Sequence, residues 1–122
     1  MLTNPILFIA TANPDRCRHF FQTQLGFRLN SEDDFALVFN LGTTQLRIQK
    51  VEAVTSAPYT VLGWSVDNIE DCVAALCTKG VEFDHYEALA QDELAIWQSP
   101  SGAKIAWFKD PDGNTLSLTE FT

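Results

Sequence analysis

The sequence predicts an α+β fold assembled from two βαβββ modules. Three observations carry that expectation: a strand-helix-strands order that occurs twice, a near-constant offset between the two occurrences, and period-two alternation in segments that follow the first helix. Asn68 lies 55 residues after Asn13, and Lys79-Gly80-Val81 lies 54 residues after Leu25-Gly26-Phe27. We therefore expect one domain, residues 1–122, with internal modules at about 4–50 and 58–121.

The first module opens with an apolar run, PILFIAT, closed by Asn13-Pro14, an N-cap and first-turn pair for a helix. In PDRCRHFFQTQLG the apolar residues Cys17, Phe20, Phe21 and Leu25 recur at three- and four-residue steps, which predicts a helix stopped by Gly26. DFALVFN and TTQLRIQK read as strands joined by a turn at Leu41-Gly42-Thr43. The second of these sets Gln45, Arg47 and Gln49 on one face and Leu46 and Ile48 on the other. Residues 51–58 lose periodicity and read as a connector.

In the second module YTVLGWSV predicts a strand, Asp67-Asn68 a cap, and NIEDCVAALCTKG a helix. Ile69, Val73, Leu76 and Cys77 share its stripe, and Gly80 ends it. Three further strands are expected at VEFDHY, ELAIWQS and AKIAWFK. A last one, TLSLTE, follows the turn Asp110-Pro111-Asp112-Gly113.

Composition narrows the function classes. A chain of 122 residues that is 46% apolar and 11% aromatic can bury about two thirds of its unfolded surface, which excludes intrinsic disorder. Its net charge of −8 would repel phosphate backbones and anionic lipid, so neither nucleic acid nor a membrane is expected as a partner. No apolar run reaches the roughly 18 residues of a membrane span, and MLTNPILFIAT lacks a basic flank, so a cytoplasmic protein is expected. Cys17, Cys72 and Cys77 form no CxxC pair, and on one helix Cys72 and Cys77 would sit about 140° apart, so packing is their expected role.

Arg16 to Phe27 (RCRHFFQTQLGF), Ser65-Val66-Asp67-Asn68, and Trp107 to Asn114 (WFKDPDGN) entering the last strand resemble the vicinal oxygen chelate superfamily. That superfamily comprises glyoxalases, bleomycin-resistance proteins and extradiol dioxygenases. LGFRLNSEDDFAL is most similar to the bleomycin-resistance branch. The resemblance implies paired βαβββ modules whose mixed sheets curl around a cup, usually in a homodimer. It also implies four metal-ligand places, which fall here on Ile6, Arg47, Val61 and Ser117. Isoleucine and valine have no donor, and arginine keeps its proton, so no metal and no cofactor is expected. His19 and His85 lack HxH or HxxxH spacing and read as packing or solvated histidines. Strand parity turns Glu120 away from the cup with Leu116 and Leu118.

Alternation also puts Thr115, Ser117 and Thr119 on the cup side of the last strand, opposite Leu116 and Leu118. Phe8 follows Ile6 on that side of the first strand, while Trp64 takes the helix-facing parity. The expected ligand-binding residues are Phe8, Gln45, Arg47, Gln49, Trp97, Trp107, Ser117 and Thr119. Arg47 would either hold a carboxylate or phosphate or satisfy an internal acid; Trp97 and Trp107 would either wall a pocket for a planar ligand or pack in the core. The charge evidence is divided, because the −8 surface would attract a cation and Arg47 an anion. No catalytic acid, base or nucleophile stands out, and Cys17 beside two arginines is at most a mildly activated thiol.

The leading expectation is a metal-free small-molecule binding protein that sequesters an antibiotic or metabolite. The alternatives are a metal-dependent lyase, isomerase or dioxygenase-like enzyme with a relocated site, and a partner-binding module.

Overall fold

The structure is a computed structural model that describes all residues, Met1–Thr122. The chain divides into two units, Met1–Ser56 and Ala57–Thr122. Each contains one four-stranded mixed sheet and one helical segment, which makes the fold α+β with two β-α-β-β-β runs.

In the first unit β1 (Ile6–Thr11) leads into α1 (Pro14–Arg18), a π-helical segment (His19–Gln24), and then β2 (Arg28–Glu32), β3 (Ala36–Leu41) and β4 (Thr44–Lys50). The sheet order is β1-β4-β3-β2, so β4 is a central strand, parallel to β1 and antiparallel to β3. A parallel neighbour cannot be reached by a tight turn: the chain crosses through the helical segment to the far-edge strand β2 and returns through β3 to β4. Asn13 caps α1 by accepting from the Arg16 amide at 3.3 Å, with Pro14 in the first turn, where its missing N–H costs nothing. The expected helix is not uniform. From His19 it widens: the Leu25 amide bonds the Phe20 carbonyl at 2.9 Å, a five-residue step. Consecutive Phe20 and Phe21 are thereby both buried, their rings meeting edge to face at 5.1 Å, before Gly26 turns out of the helix at φ +79°. Phe21, Leu37, Phe39, Leu46 and Ile48 are fully buried and form the core, each adding about 1.5–3 kcal/mol from removal of apolar surface from water.

The second unit repeats the plan with β5 (Thr60–Ser65), α2 (Ile69–Thr78), β6 (Trp97–Gln98), β7 (Lys104–Lys109) and β8 (Thr115–Glu120), in the order β5-β8-β7-β6. Ile69, Val73, Ala106, Phe108 and Leu116 are buried, and Trp64 stacks on Phe108 at 6.4 Å on the helix-facing side that its parity predicts. Asn68 caps α2 through the Asp71 amide at 3.0 Å. Glu120 is more than a surface acid: its Oε1 accepts from the Ile69 amide at 3.0 Å, placing a carboxylate at the helix's positive end.

Several expectations are corrected. VEFDHY is not a strand; only Phe83 forms an isolated bridge, to Phe108. ELAIWQS contracts to Trp97–Gln98, because Asp92 Oδ1 accepts from the Leu94 and Ile96 amides and Ala95 adopts φ +64°, a turn incompatible with extension. Cys77 is exposed rather than part of the buried stripe, whereas Cys17 is fully buried. The β3–β4 turn is Gly42-Thr43, with Leu41 still in the strand. No helix is long and apolar enough to cross a membrane.

Edge strand β2 is mostly exposed and is fastened by charge. Arg18 grips Glu32 through Nε at 2.8 Å and Nη2 at 2.6 Å, and Lys50 adds a third contact at 2.8 Å. Hydrogen bonds from Arg18 and then Lys50 hold the Glu32 carboxyl down at about 2. Its pKa in the fold lies below the ordinary glutamate value of 4.5. The stabilisation is therefore complete above that value and disappears as pH falls toward 2. Glu32→Gln is expected to cost about 0.5–1 kcal/mol at neutral pH. Urea denaturation across acidic pH should show the two proteins converging as pH approaches 2, and a pH-independent gap would contradict this account.

Candidate functional site

Strand parity separates each sheet into a helix-covered face and a face without a helix. In the first unit the uncovered face has three central rows in register: Ile6–Gln45–Asn40, Phe8–Arg47–Val38 and Ala10–Gln49–Ala36. Arg47 is thus the centre of this face, half-buried, with Phe8 beside it and 53% exposed. Its Nη1 donates to Gln45 Oε1 at 3.2 Å, and no carboxylate lies within ion-pair distance, so the internal-ion-pair alternative is not what the structure shows. The field of Arg47 does reach Asp33. That carboxylate, however, accepts from the Phe35 and Ala36 amides, which hold its pKa below the usual range more strongly than Arg47 does.

In the second unit the uncovered face has Ser117 at its centre, in register with Gly63 on β5 and Trp107 on β7. Thr119 lies between Ser65 and Ile105, and Ile105 is paired with Trp97. Trp97 and Trp107 come together at 6.0 Å between ring centroids. Tyr86, which the sequence reading did not single out, meets Trp107 edge to face at 5.6 Å. Lys109 pairs with Asp84 and donates to the Tyr86 hydroxyl at 3.3 Å. Burial works against the Lys109 ammonium, yet the hydrogen bonds to Asp84 and Tyr86 carry its pKa above the ordinary lysine value, so it stays charged and neutralised by Asp84.

The segment carrying Asp84 and Tyr86 lacks regular structure and is organised by one side chain. Gln91 accepts from the Tyr86 amide at 2.6 Å and donates to the Asp84 and Ala95 carbonyls at 2.9 and 2.8 Å. A glutamine pinning a loop has no periodic signature, which is why Tyr86 and Asp84 escape a pattern-based reading. The turn after β7 is rigid for a legible reason: Asp110 accepts from the Asp112 and Asn114 amides and from the Asn114 side chain. Burial pushes the Asp110 carboxyl up, against those hydrogen bonds.

The donor set does not fit a divalent metal. Ile6 and Val61 offer no donor atom, Arg47 offers only N–H donors, and Ser117 is a single hydroxyl. His19 lies in the π-helical segment and His85 in the loop of the other unit, and no three His, Cys, Asp or Glu side chains gather as a metal-holding group. Cys17 is sealed in the core, and burial raises the Cys72 thiol pKa, so neither is an activated nucleophile.

Two βαβββ runs, with the DPDGN turn before the last strand, define the class. The family model of the Glyoxalase/Bleomycin resistance protein/Dioxygenase superfamily matches residues 4–118, and the chain belongs to that superfamily. Among solved structures it is similar to a bleomycin resistance determinant encoded on the transposon Tn5, with a TM-score of 0.76 and 16% identity over 98% of each chain. It is also similar to a lactoylglutathione lyase from Agrobacterium tumefaciens (TM-score 0.75, 12% identity, covering 98% of this chain and 94% of the other). A third is a glyoxalase family protein from Enterococcus faecalis (TM-score 0.70, 26% identity, covering 98% and 97%). No match is found among curated proteins.

Ser117 imposes a steric demand. A Cβ built on Gly63 would lie 2.5 Å from Ser117 Oγ and 3.2 Å from its carbonyl oxygen. Gly63→Ala is expected to destabilise the protein by about 1–3 kcal/mol in thermal or urea denaturation. The double variant with Ser117→Ala should recover only part of that, because the carbonyl contact remains.

Proposed function

We propose that the protein binds a small organic molecule without a divalent metal, sequestering a metabolite or antibiotic rather than transforming it. The observation that carries this reading is the pairing of two facts about the uncovered faces. The four places where the family resemblance implies metal ligands carry Ile6, Arg47, Val61 and Ser117, while the second sheet presents Trp97, Trp107 and Tyr86 beside hydroxyls. Aromatic rings give large contact area at low entropic cost, and Ser117 and Thr119 supply hydrogen-bonding groups, an environment suited to a planar ligand. A resistance determinant among the structural neighbours accords with a binding role, and a lyase among them with a catalytic one. The donor set of this chain favours the first. The reading includes a homodimer in the cytoplasm, and its Trp97–Trp107 face is distinct in chemistry from Arg47, Gln45, Gln49 and Phe8 in the first unit.

Three planar probes test it: 9-aminoacridine as cation, 2-naphthamide as neutral compound and 2-naphthoate as anion. At least one should give saturable quenching of tryptophan emission that EDTA leaves unchanged, and Trp107→Ala should weaken it by about tenfold or more, equivalent to roughly 1.4 kcal/mol. Native mass spectrometry should show dimers without a stoichiometric divalent ion. One such ion per chain, loss of binding in EDTA, or failure of all three probes would overturn the reading.

A further inference from the structure

We infer that the uncovered face of the first sheet is a carboxylate-binding site centred on Arg47, and that its ligand is an organic acid with an apolar body. This rests on the small-molecule reading above and adds a site within the first unit, with the charge and shape of the molecule it takes.

The argument begins with the arginine's surroundings. Every strand position on that face, from β1 through β4, β3 and β2, is apolar, amide, hydroxyl or cationic. Arg28, in register with Asn40 on the edge strand, is the second cation, and no Asp or Glu shares the face. This is notable in a chain with 16 acidic residues against 8 lysines and arginines. The carboxylates near enough to matter are engaged elsewhere: Glu32 holds Arg18 and Lys50, and Asp33 holds two backbone amides. Arg47 is half-buried as a residue, and Gln45 satisfies only Nη1 of its donor fork. A carboxylate fits the remaining N–H groups, since its two oxygens lie in one plane at the spacing of the fork.

The neighbours describe the rest of the ligand. Phe8 lies in register with Arg47 and is 53% exposed, while Ile6, one row along, is 47% exposed. Together they form an apolar shelf against the cation, where an aryl or alkyl body would cover both. The Gln45 and Gln49 amides flank Arg47 on the same strand and supply further hydrogen-bonding groups. Inorganic phosphate would use the charge but leave the shelf exposed, so the geometry favours an amphipathic acid over a bare anion.

The experiment compares 2-naphthoate, its neutral amide 2-naphthamide, and inorganic phosphate by NMR titration, following Arg47 Nε–H and the Gln45 and Gln49 side-chain amides. Naphthoate should give saturable shifts there, with naphthamide and phosphate at least about tenfold weaker. Arg47→Gln should erase the preference for naphthoate, and Arg47→Lys should restore only part of it, because the charge returns without the fork. Both variants should keep the parent melting temperature closely, the side chain being half-buried, without an ion pair and bonded only to the neutral Gln45 amide. Equal binding of naphthoate and naphthamide overturns the carboxylate site while leaving the small-molecule reading intact. Equal shifts with phosphate overturn the apolar-body half. No binding by any of these three probes overturns the carboxylate site, and it overturns the small-molecule reading as well if 9-aminoacridine also fails to bind. If Arg47→Gln dissociates a dimer while naphthoate binding is unchanged, the guanidinium serves a second copy and the inference fails.

Discussion

The pleat of two central strands, β4 and β8, is the constraint on which the rest of the structure depends. Each has a parallel neighbour on one side and an antiparallel neighbour on the other, so its register is held twice. Along β4 the residues Leu46 and Ile48 are fully buried while Gln45, Arg47 and Gln49 point the other way; along β8 Leu116 and Leu118 are buried opposite Thr115, Ser117 and Thr119. A slip of one residue in either strand would drive an arginine or a row of hydroxyls beneath a helix and turn that strand's two buried leucine or isoleucine side chains to the opposite face. The hydrophobic cost of that exchange fixes which chemistry stands on the face away from the helix, where Thr115 and Ser117 are nonetheless buried. The chemistry presented on these faces is therefore a consequence of core packing.

What was legible in the sequence follows the same logic. Asn13-Pro14, Gly26, Asn68 and Gly80 were readable because capping and chain reversal demand particular residues, and β4 and β8 because burial imposes period two. β2 was not readable: its exposed pattern has no apolar period, and it is held by the Arg18–Glu32–Lys50 ion pairs, whose partners are 14 and 18 residues apart in the chain. VEFDHY looked like a strand by composition, but Gln91 holds the following loop, and the Asp84 amide bonds the Trp107 carbonyl without building a ladder. The π-helical segment was equally hidden, since adjacent phenylalanines satisfy a helical stripe on paper and only the wider turn buries both. Among the site residues, those on regular strands could be placed by parity, whereas Tyr86 and Asp84, and with them the partners of Lys109, lie in a loop that has no period.

The two uncovered faces share a backbone plan and differ in how their charge is settled. In the second unit Lys109 is matched by Asp84 beside an aromatic group, so that face offers shape, stacking and hydroxyls with little net charge. In the first unit Arg47 has only a neutral amide for company, and Arg28 adds to its sign instead of cancelling it. A surplus of acids over the whole chain does not alter this locally, because screening in salt solution limits exposed charges to a reach of about 8–10 Å and the nearby carboxylates have other partners.

That difference bears on what stands at the places where the resemblance implies metal ligands. A divalent ion bound by side chains would concentrate positive charge on a sheet face and fix the oxygens of a ligand. A guanidinium supplies one positive charge and a planar array of donors without needing deprotonated side chains around it, so its neighbours are free to be apolar. Ile6 and Phe8 take that freedom, leaving exposed hydrocarbon beside the cation. The exchange also limits the chemistry. Arg47 cannot polarise a bound oxygen as a Lewis acid does, nor lower the pKa of a bound water to the range where hydroxide attacks. Cys17 is buried and burial pushes the Cys72 thiol up, so neither adds an activated thiolate to the groups around Arg47.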